Sequence, residues 1–206
     1  PGQGSSDGDT HQGSVDIDSS ISKLRDLDFV PFKAGIDAGA EFVMVSHISV
    51  SRVTETKEPA SMSELIMKTI LREELGFSGI VITDAFDMAS ITDDYTPGEA
   101  ALQSFMAGAD IILMPNDLTQ AYQAILNAVN SKKITQSRLD ESVIRILTTK
   151  FKHGILTQED LTAWEQPTAT PSVTPAVTAS PKAKKGKKNR ESAKTIKKST
   201  KNKSKK

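Results

Sequence analysis

The first 165 residues alternate between two patterns of apolar residues. Three short runs are continuously apolar, and each is followed by a longer segment in which apolar residues recur every three or four positions. The runs predict buried strands, and the spaced segments predict amphipathic helices. The predicted strands cover residues 42–46, 80–83 and 110–114.

Helix-terminus signals lie between and after these strands. Ser61 and Glu64 have the spacing of a capping box, in which a hydroxyl and a carboxylate three residues apart satisfy the first amide groups of a helix. Thr96 precedes Pro97, a residue that favours the first helical position. Two further helices are predicted over residues 117–130 and 135–153.

Strands that alternate with helices predict an α/β fold, in which helices cover a parallel sheet. Three strands can form an open sheet, whereas a closed (β/α)8 barrel of the TIM type needs eight. If the fold is such a barrel, we expect only its carboxyl-terminal portion, about three βα units. The sequence also begins at Pro1 without a Met or a signal segment, which is typical of a cut end.

The carboxyl-terminal residues differ in composition from those before them. Residues 167–181 consist only of Pro, Thr, Ala, Ser and Val, which predicts an extended linker over 166–181. Residues 182–206 contain 13 of the 26 basic residues and a single acid, Glu191. We therefore expect an acidic folded domain over 1–165, followed by this linker and a disordered Lys-rich tail.

Composition excludes several classes of protein. The basic tail has no aromatic residue for base stacking, so we expect no specific binding of nucleic acid. Tethering to an anionic cell-wall polymer and simple solubilisation are the two alternatives for this tail. No apolar run reaches the ~18–20 residues of a transmembrane segment. Because the sequence has no cysteine, it predicts no disulfide and no thiolate metal site. No cofactor is expected.

A polar residue follows each predicted strand. His47 follows the first strand, Asp84 the second, and Asn116 with Asp117 the third. Catalytic groups of parallel α/β folds gather where strands end, and a carboxylate held there has the rigidity that a nucleophile requires. The alternative is structural: Asp84 caps the turn after its strand, and His47 caps the end of a buried strand.

The second candidate site is the pair Asp9 and His11, which lie in a loop rich in Gly and Ser. A carboxylate two residues from an imidazole can hold one ring nitrogen and raise the basicity of the other, which produces a general acid/base. Taken alone, the pattern is weak, because an Asp and a His in such a loop are more often only solvated.

Six segments carry a family resemblance through their order and spacing. The first, Pro-Gly-Gln-Gly-Ser-Ser-Asp-Gly-Asp-Thr-His, opens the sequence, and the longest, residues 71–84, ends in Ile-Val-Ile-Thr-Asp. The others are residues 30–36, 42–48, 59–63 and 107–115. Together they resemble bacterial glycoside hydrolase family 3 enzymes of the β-N-acetylhexosaminidase type, over about residues 1–156.

The resemblance implies roles for particular residues. Asp84, which ends the Thr-Asp strand motif, is implied to be the nucleophile of a retaining glycosidase, and Asp9 and His11 match the acid/base pair of this subgroup. His47 is expected to bind substrate beside Asp84, and no metal is implied. Gln3 departs from the family pattern, which has His there, and we expect this change to alter hydrogen bonding within the loop.

The implied function is removal of terminal β-linked N-acetylglucosamine from peptidoglycan fragments or chitooligosaccharides, in a secreted or cell-envelope protein; a cytoplasmic location is the alternative. Phosphorolysis is an alternative to hydrolysis, because a His base repels an anionic acceptor less than a carboxylate does. A catalytically inactive remnant or carbohydrate-binding fragment is a further alternative, since the amino-terminal half of the barrel is expected to be missing. A phosphorylated receiver domain is disfavoured, because Met114 and Pro115 end the third strand where that class needs a Lys.

Overall fold

The computed structural model describes residues 2–4 and 6–165, so the predicted linker and Lys-rich tail lie outside the described residues. The strands are β1 (Val15–Asp16), β2 (Phe42–Val45), β3 (Ile48–Ser49), β4 (Ile80–Ala85) and β5 (Ile111–Leu113). The helices are α1 (consecutive segments Ile21–Lys23, Leu24–Asp28 and Phe29–Asp37), α2 (Ser51–Thr54), α3 (Leu65–Glu74), α4 (Ala89–Thr92), α5 (Pro97–Ala107), α6 (Leu118–Asn130), α7 (Gln136–Lys152) and α8 (Gln158–Glu165), with a short helical turn at Ala60–Met62.

The strands form two parallel sheets. β1 pairs with β3, and a second sheet has the order β2–β4–β5, with β4 in the centre. Helices separate β2, β4 and β5 along the chain, so the predicted α/β fold with a parallel sheet is confirmed. Across residues 2–4 and 6–165 the sheets do not close into a barrel, because sheets of two and three strands are too narrow to curve round and meet.

The main core lies between the three-stranded sheet and two helices. Val45 of β2 and Val81 of β4 pack with Leu24 and Phe29 of α1. α3 contributes four buried side chains from one face, namely Ile66, Met67, Ile70 and Leu71. Burial of each large apolar side chain contributes roughly 1.5–3 kcal/mol relative to its exposure, so this packing holds the helices against the sheet.

Most of the predicted helix termini are confirmed. Thr96 and Glu99 form a capping box at the start of α5, and the side chains of Asp117 and Thr135 cap α6 and α7. The prediction at Ser61 is wrong, because Ser61 lies in the turn before α3 and its hydroxyl contacts a histidine ring. A partner from another element has replaced the local cap, as happens when serine hydroxyls have a choice of hydrogen bonds.

The strand β2 has one covered face and one open face. Side chains of a strand alternate between its two faces. Val45 is buried in the core, whereas Phe42 and Met44 are 49% and 51% exposed. The open face therefore presents large apolar side chains to solvent. Among the helices of the described part of the chain, none combines the length and apolarity that crossing a bilayer requires.

A buried carboxylate joins the sheet to two helices. The Asp110 side chain, which lies just before β5, is fully buried. Its carboxylate accepts from the guanidinium group of Arg72 in α3 at 2.7 Å and from that of Arg145 in α7 at 3.0 Å. The Ser142 hydroxyl donates to it at 2.6 Å, and the Val81 backbone N–H of β4 donates at 2.9 Å. These charge-assisted hydrogen bonds replace the lost hydration of the carboxylate, so Asp110 ties α3, β4 and α7 together.

We predict that Asp110→Ala lowers the free energy of unfolding by about 3–5 kcal/mol, because it leaves the surrounding guanidinium groups without their buried partner. Urea denaturation followed by circular dichroism measures this loss. The matched control is Asp93→Asn, which alters an exposed acid after α4 and should change stability by less than about 0.5 kcal/mol. Equal, small effects of the two substitutions would contradict the role given to Asp110.

Candidate active site

The carboxyl end of β4 contains a bulge. The register of β4 against β5 shifts between Ile82 and Ala85. The buried Thr83 side chain supplies an acceptor there, since its hydroxyl oxygen receives the Leu113 N–H at 3.0 Å. Bulges redirect side chains and are common next to active sites. The residue that follows Thr83 within this bulge is Asp84, at the mouth of the strand.

Asp84 has one carboxylate oxygen held and the other open. Its side chain is half-buried, and Oδ1 accepts the Ala85 N–H at 2.8 Å. Within residues 2–4 and 6–165 no hydrogen bond or ion pair reaches Oδ2. A carboxylate fixed on one side and open on the other can attack an electrophilic carbon, which is the arrangement that a nucleophile needs.

His47 lies next to Asp84 but is 1% exposed. Its Nε2 is 2.9 Å from the Ala85 carbonyl oxygen, and its Nδ1 is 2.7 Å from the Ser61 hydroxyl. Burial lowers the pKa of the His47 imidazole, although the Ala85 carbonyl and the charge of Asp84 oppose this shift. The ring is therefore neutral near pH 7. A carbonyl can only accept, so Nε2 carries the proton and Nδ1 accepts from the Ser61 hydroxyl.

The Asp9–His11 pair is formed and faces solvent. His11 Nδ1 is 2.8 Å from Asp9 Oδ1, and the His11 backbone N–H donates to the same oxygen at 3.0 Å. The Gln12 side-chain amide donates to Asp9 Oδ2 at 2.8 Å. The pair leaves Nε2 of His11 directed away from Asp9, on a side chain that is 73% exposed. This nitrogen can exchange a proton with a ligand, as a general acid/base requires.

The loop that carries this pair is attached to the segment after β4. Thr10 is 1% exposed, and its carbonyl oxygen accepts the Ser90 N–H of α4 at 3.3 Å. The side-chain amide of Gln3 donates to the Thr10 hydroxyl at 3.2 Å. Gln3, which departs from the family pattern, thus forms its hydrogen bond within the loop. In the described residues, no hydrogen bond joins His11 to Asp84.

The polar residues after β5 have other surroundings. Asn116 is exposed. Asp117 accepts the Gln120 N–H at 3.0 Å as the cap of α6, and hydrogen bonds from the Gln120 backbone and side chain lower the pKa of Asp117. The carboxylate of Asp117 is therefore engaged in capping α6. Among residues 2–4 and 6–165, no group of three or more His, Asp or Glu side chains is arranged to hold a metal ion.

Sequence reasoning missed three residues that support the site. Gln12 holds Asp9, Ser61 holds His47, and the buried Ser104 donates to the Ser61 carbonyl oxygen at 2.7 Å. Ser104 lies among the buried alanines and phenylalanine of α5, so a hydroxyl on an apolar helix face was a signal available in the sequence. Gln12 carried no comparable signal.

Comparison with known proteins identifies the family. A model of the Glycosyl hydrolase family 3 N terminal domain matches residues 1–149, which is most of the chain. The chain belongs to glycosyl hydrolase family 3. The resemblance inferred from the six sequence segments is therefore confirmed.

Several relatives share this part of the fold. β-Hexosaminidase A of Pseudoalteromonas piscicida is 34% identical over an alignment of 172 positions, which covers 74% of this chain and 29% of that protein. The structure of a family 3 β-N-acetylglucosaminidase from Paenibacillus sp. str. FPU-7 is 33% identical, with a TM-score of 0.69, over 74% of this chain and 31% of that one. A β-glucoside phosphorylase, BglX, is 29% identical with a TM-score of 0.65, over 80% and 30% of the two chains. The chain thus spans less than a third of each of these relatives.

The hydrogen bonds at Asp9 lead to a prediction for its titration. The Gln12 amide, followed by the His11 backbone and ring, lowers the pKa of Asp9 from 3.8 to about 2. Because the pKa is lowered, these bonds favour the folded loop above pH 3.8 and are lost as the pH falls through about 2. We predict that Gln12→Ala raises the pKa of Asp9 towards 3.8, measured by NMR titration of the side-chain carboxyl carbon.

Gln120→Ala is the matched control for this titration, because its amide bonds Asp117 and not Asp9. It should leave the Asp9 midpoint unchanged and move that of Asp117 upward. An Asp9 midpoint that stays near pH 2 in Gln12→Ala would show that the Gln12 amide does not hold this carboxylate.

Proposed function

We propose that this chain supplies the nucleophile and the acid/base of a retaining glycosidase. The observation that carries the proposal is the arrangement around the end of β4. Asp84 has one oxygen fixed and one open there, and the loop with Asp9 and His11 is bonded to α4 through Thr10. Retaining glycosidases need a nucleophilic carboxylate on one side of the sugar and a proton donor on the other.

In the first step, Asp84 Oδ2 attacks the anomeric carbon of the sugar. Protonated His11 donates its Nε2 proton to the glycosidic oxygen as the bond between that oxygen and the anomeric carbon breaks. The products are a glycosyl ester of Asp84 and the departing alcohol. The hydrogen bond between His11 Nδ1 and Asp9 leaves Nε2 available to donate this proton.

In the second step, water replaces the departed alcohol. His11, now without its Nε2 proton, takes a proton from this water, and the oxygen of the water attacks the anomeric carbon. The ester bond breaks, which releases the sugar and restores the Asp84 carboxylate. In this mechanism the sugar lies between Asp84 and His11.

For the substrate, we propose terminal β-linked N-acetylglucosamine in peptidoglycan fragments or chitooligosaccharides. The support comes from the relatives, one of which is a β-hexosaminidase and another a β-N-acetylglucosaminidase. His47 was expected to contact the sugar, but both of its ring nitrogens are bonded to protein. Direct sugar contact by His47 stays a prediction, and it would require one of these bonds to break.

We also propose that the two sheets are the carboxyl-terminal portion of a (β/α)8 barrel. The open face of β2 supports this proposal, because Phe42 and Met44 are the kind of side chains that fill a barrel interior. The chain also covers only 31% of the similar family 3 structure. Further strands beside this sheet would cover the exposed apolar side chains.

Phosphorolysis is the second candidate reaction, in which phosphate takes the place of water in the second step. The similarity to a β-glucoside phosphorylase favours it. A histidine base without net negative charge also repels the incoming anion less than a carboxylate base would. An assay in phosphate buffer distinguishes the two reactions, since phosphorolysis yields the sugar 1-phosphate and hydrolysis yields the free sugar.

The proposed nucleophile is tested with p-nitrophenyl β-N-acetylglucosaminide, on this chain and on a version extended to the length of its relatives. We predict that Asp84→Asn eliminates release of p-nitrophenol, because an amide oxygen cannot replace the attacking carboxylate. The control is Asp87→Asn, which alters an exposed acid three positions further on and should retain turnover.

Two outcomes would contradict this proposal. Activity that survives Asp84→Asn would remove Asp84 as the nucleophile. An absence of turnover in both forms would favour a catalytically inactive remnant or a carbohydrate-binding fragment. Binding measurements with chitooligosaccharides would then distinguish these two alternatives.

The proposed acid is tested by leaving-group dependence. We predict that His11→Ala lowers turnover of a natural oligosaccharide by roughly 10²–10⁴-fold, because an alcohol leaves poorly without a proton. The loss with p-nitrophenol as leaving group should be smaller in the first step. His153→Ala, at the exposed end of α7, is the matched histidine control. Equal losses with both leaving groups would mean that His11 is not the acid.

A further inference from the structure

We propose that His47 is a positioning residue, which acts on Asp84 through the backbone of Ala85 and does not bind the sugar. This inference rests on the proposed function, since it takes Asp84 to be the nucleophile. It departs from the expectation that His47 contacts substrate. Its basis is a series of hydrogen bonds that runs from α5, through Ser61 and His47, to the carboxylate of Asp84. The backbones of Ser61 and Ala85 link the successive bonds.

His47 has no donor or acceptor left for a ligand. Its side chain is 1% exposed. Nδ1 is engaged by the Ser61 hydroxyl and Nε2 by the Ala85 carbonyl, so both ring nitrogens are used. The Phe86 ring also packs against the imidazole, with centroids 5.2 Å apart. A sugar hydroxyl could reach the ring only after these contacts break.

The bond from His47 helps to fix the peptide group between Ala85 and Phe86. The Ala85 carbonyl accepts from His47, and the N–H of the same peptide group, that of Phe86, donates to the Leu113 carbonyl at 3.0 Å. This peptide group is therefore held from both sides. With its far side fixed, Ala85 cannot rotate freely, and its own N–H stays directed at Asp84 Oδ1, 2.8 Å away.

His47 is itself anchored through Ser61. The N–H of Ser61 donates to the Ser46 carbonyl at 3.2 Å, and the Ser61 carbonyl accepts from the Ser104 hydroxyl at 2.7 Å. Ser61 and Ser104 are both 0% exposed, so neither bond competes with water. Because α5 carries Ser104, this helix is connected to Asp84 by hydrogen bonds that are buried at Ser61 and part-buried at Ala85.

Two substitutions separate the bonds that His47 makes. In His47→Gln the side-chain amide nitrogen can occupy the place of Nε2 and donate to Ala85. In His47→Asn the shorter amide can reach only the place of Nδ1, so the bond to Ser61 is kept and the bond to Ala85 is lost. The pair therefore tests the Ala85 bond while a buried polar group is retained in both variants.

We expect His47→Asn to lower kcat about 10²-fold with little change in KM, because a misplaced nucleophile slows the chemical step without weakening binding of the sugar. His47→Gln should restore most of the lost kcat. Steady-state kinetics on the version extended to the length of its relatives measure both. Should His47→Asn fail to fold, Ser61→Ala removes only the anchor of the ring and should lower kcat, with KM retained.

Two kinetic results would overturn the proposal. A rise in KM at constant kcat would mean that His47 binds the sugar directly. Equal losses in His47→Asn and His47→Gln would mean that the ring only fills space.

A readout without turnover keeps this inference separate from the proposed function. Hydrogen exchange by NMR reports the Ala85 and Phe86 amides directly. Both should exchange faster in His47→Asn than in His47→Gln or the unaltered protein, even if no form of the protein turns over substrate. Unchanged exchange in His47→Asn would overturn the positioning role, whereas missing turnover with the expected exchange would overturn only the proposed function.

Discussion

A single buried negative charge fixes the starting points of the central strands. A carboxylate withdrawn from water is stable only where donors replace its hydration, and Asp110 has such donors from α3, β4 and α7. Its partner Arg72 also donates to the carbonyls of Phe77 and Gly79, in the loop that leads into β4. The same ionic cluster therefore orders the helices, the loop and the first hydrogen bonds of the sheet.

The two ends of the sheet carry different kinds of polar groups. Asp110 and its arginines lie at the amino end of β4 and β5, where parallel α/β folds place groups that stabilise the structure. The carboxyl end holds the Asp84 bulge, the buried His47 and the Asp9–His11 loop. Its bonds are made by backbone groups and neutral side chains around one open carboxylate oxygen. The ionic cluster thus lies at one end of the sheet, and a carboxylate oxygen without a hydrogen bond among the described residues lies at the other.

Sequence patterns predicted the strands closely, but not their irregularities. The second strand was predicted over 80–83 and extends to Ala85, so Asp84 lies inside the strand and not after it. The bulge that carries it depends on pairing with β5, which no local pattern encodes. α1 was missed because Pro31 and Gly35 interrupt its apolar spacing, and packing against the core stabilises it nevertheless.

The sequence by itself determined the alternation of strands and helices, most helix caps, the family and the candidate residues Asp84, Asp9 and His11. The alternation and the caps depend on neighbours in the chain, because periodicity and capping act over a few residues. The family and the roles of the candidate residues came instead from the resemblance carried by six segments along the chain. Only the tertiary structure decided that Asp110 is a buried ionic centre. It also decided that the Ser61 hydroxyl forms a hydrogen bond with His47 and does not cap a helix. His47 and Ala85 are 38 positions apart, and a hydrogen bond over that distance exists only once the sheet has brought its strands together.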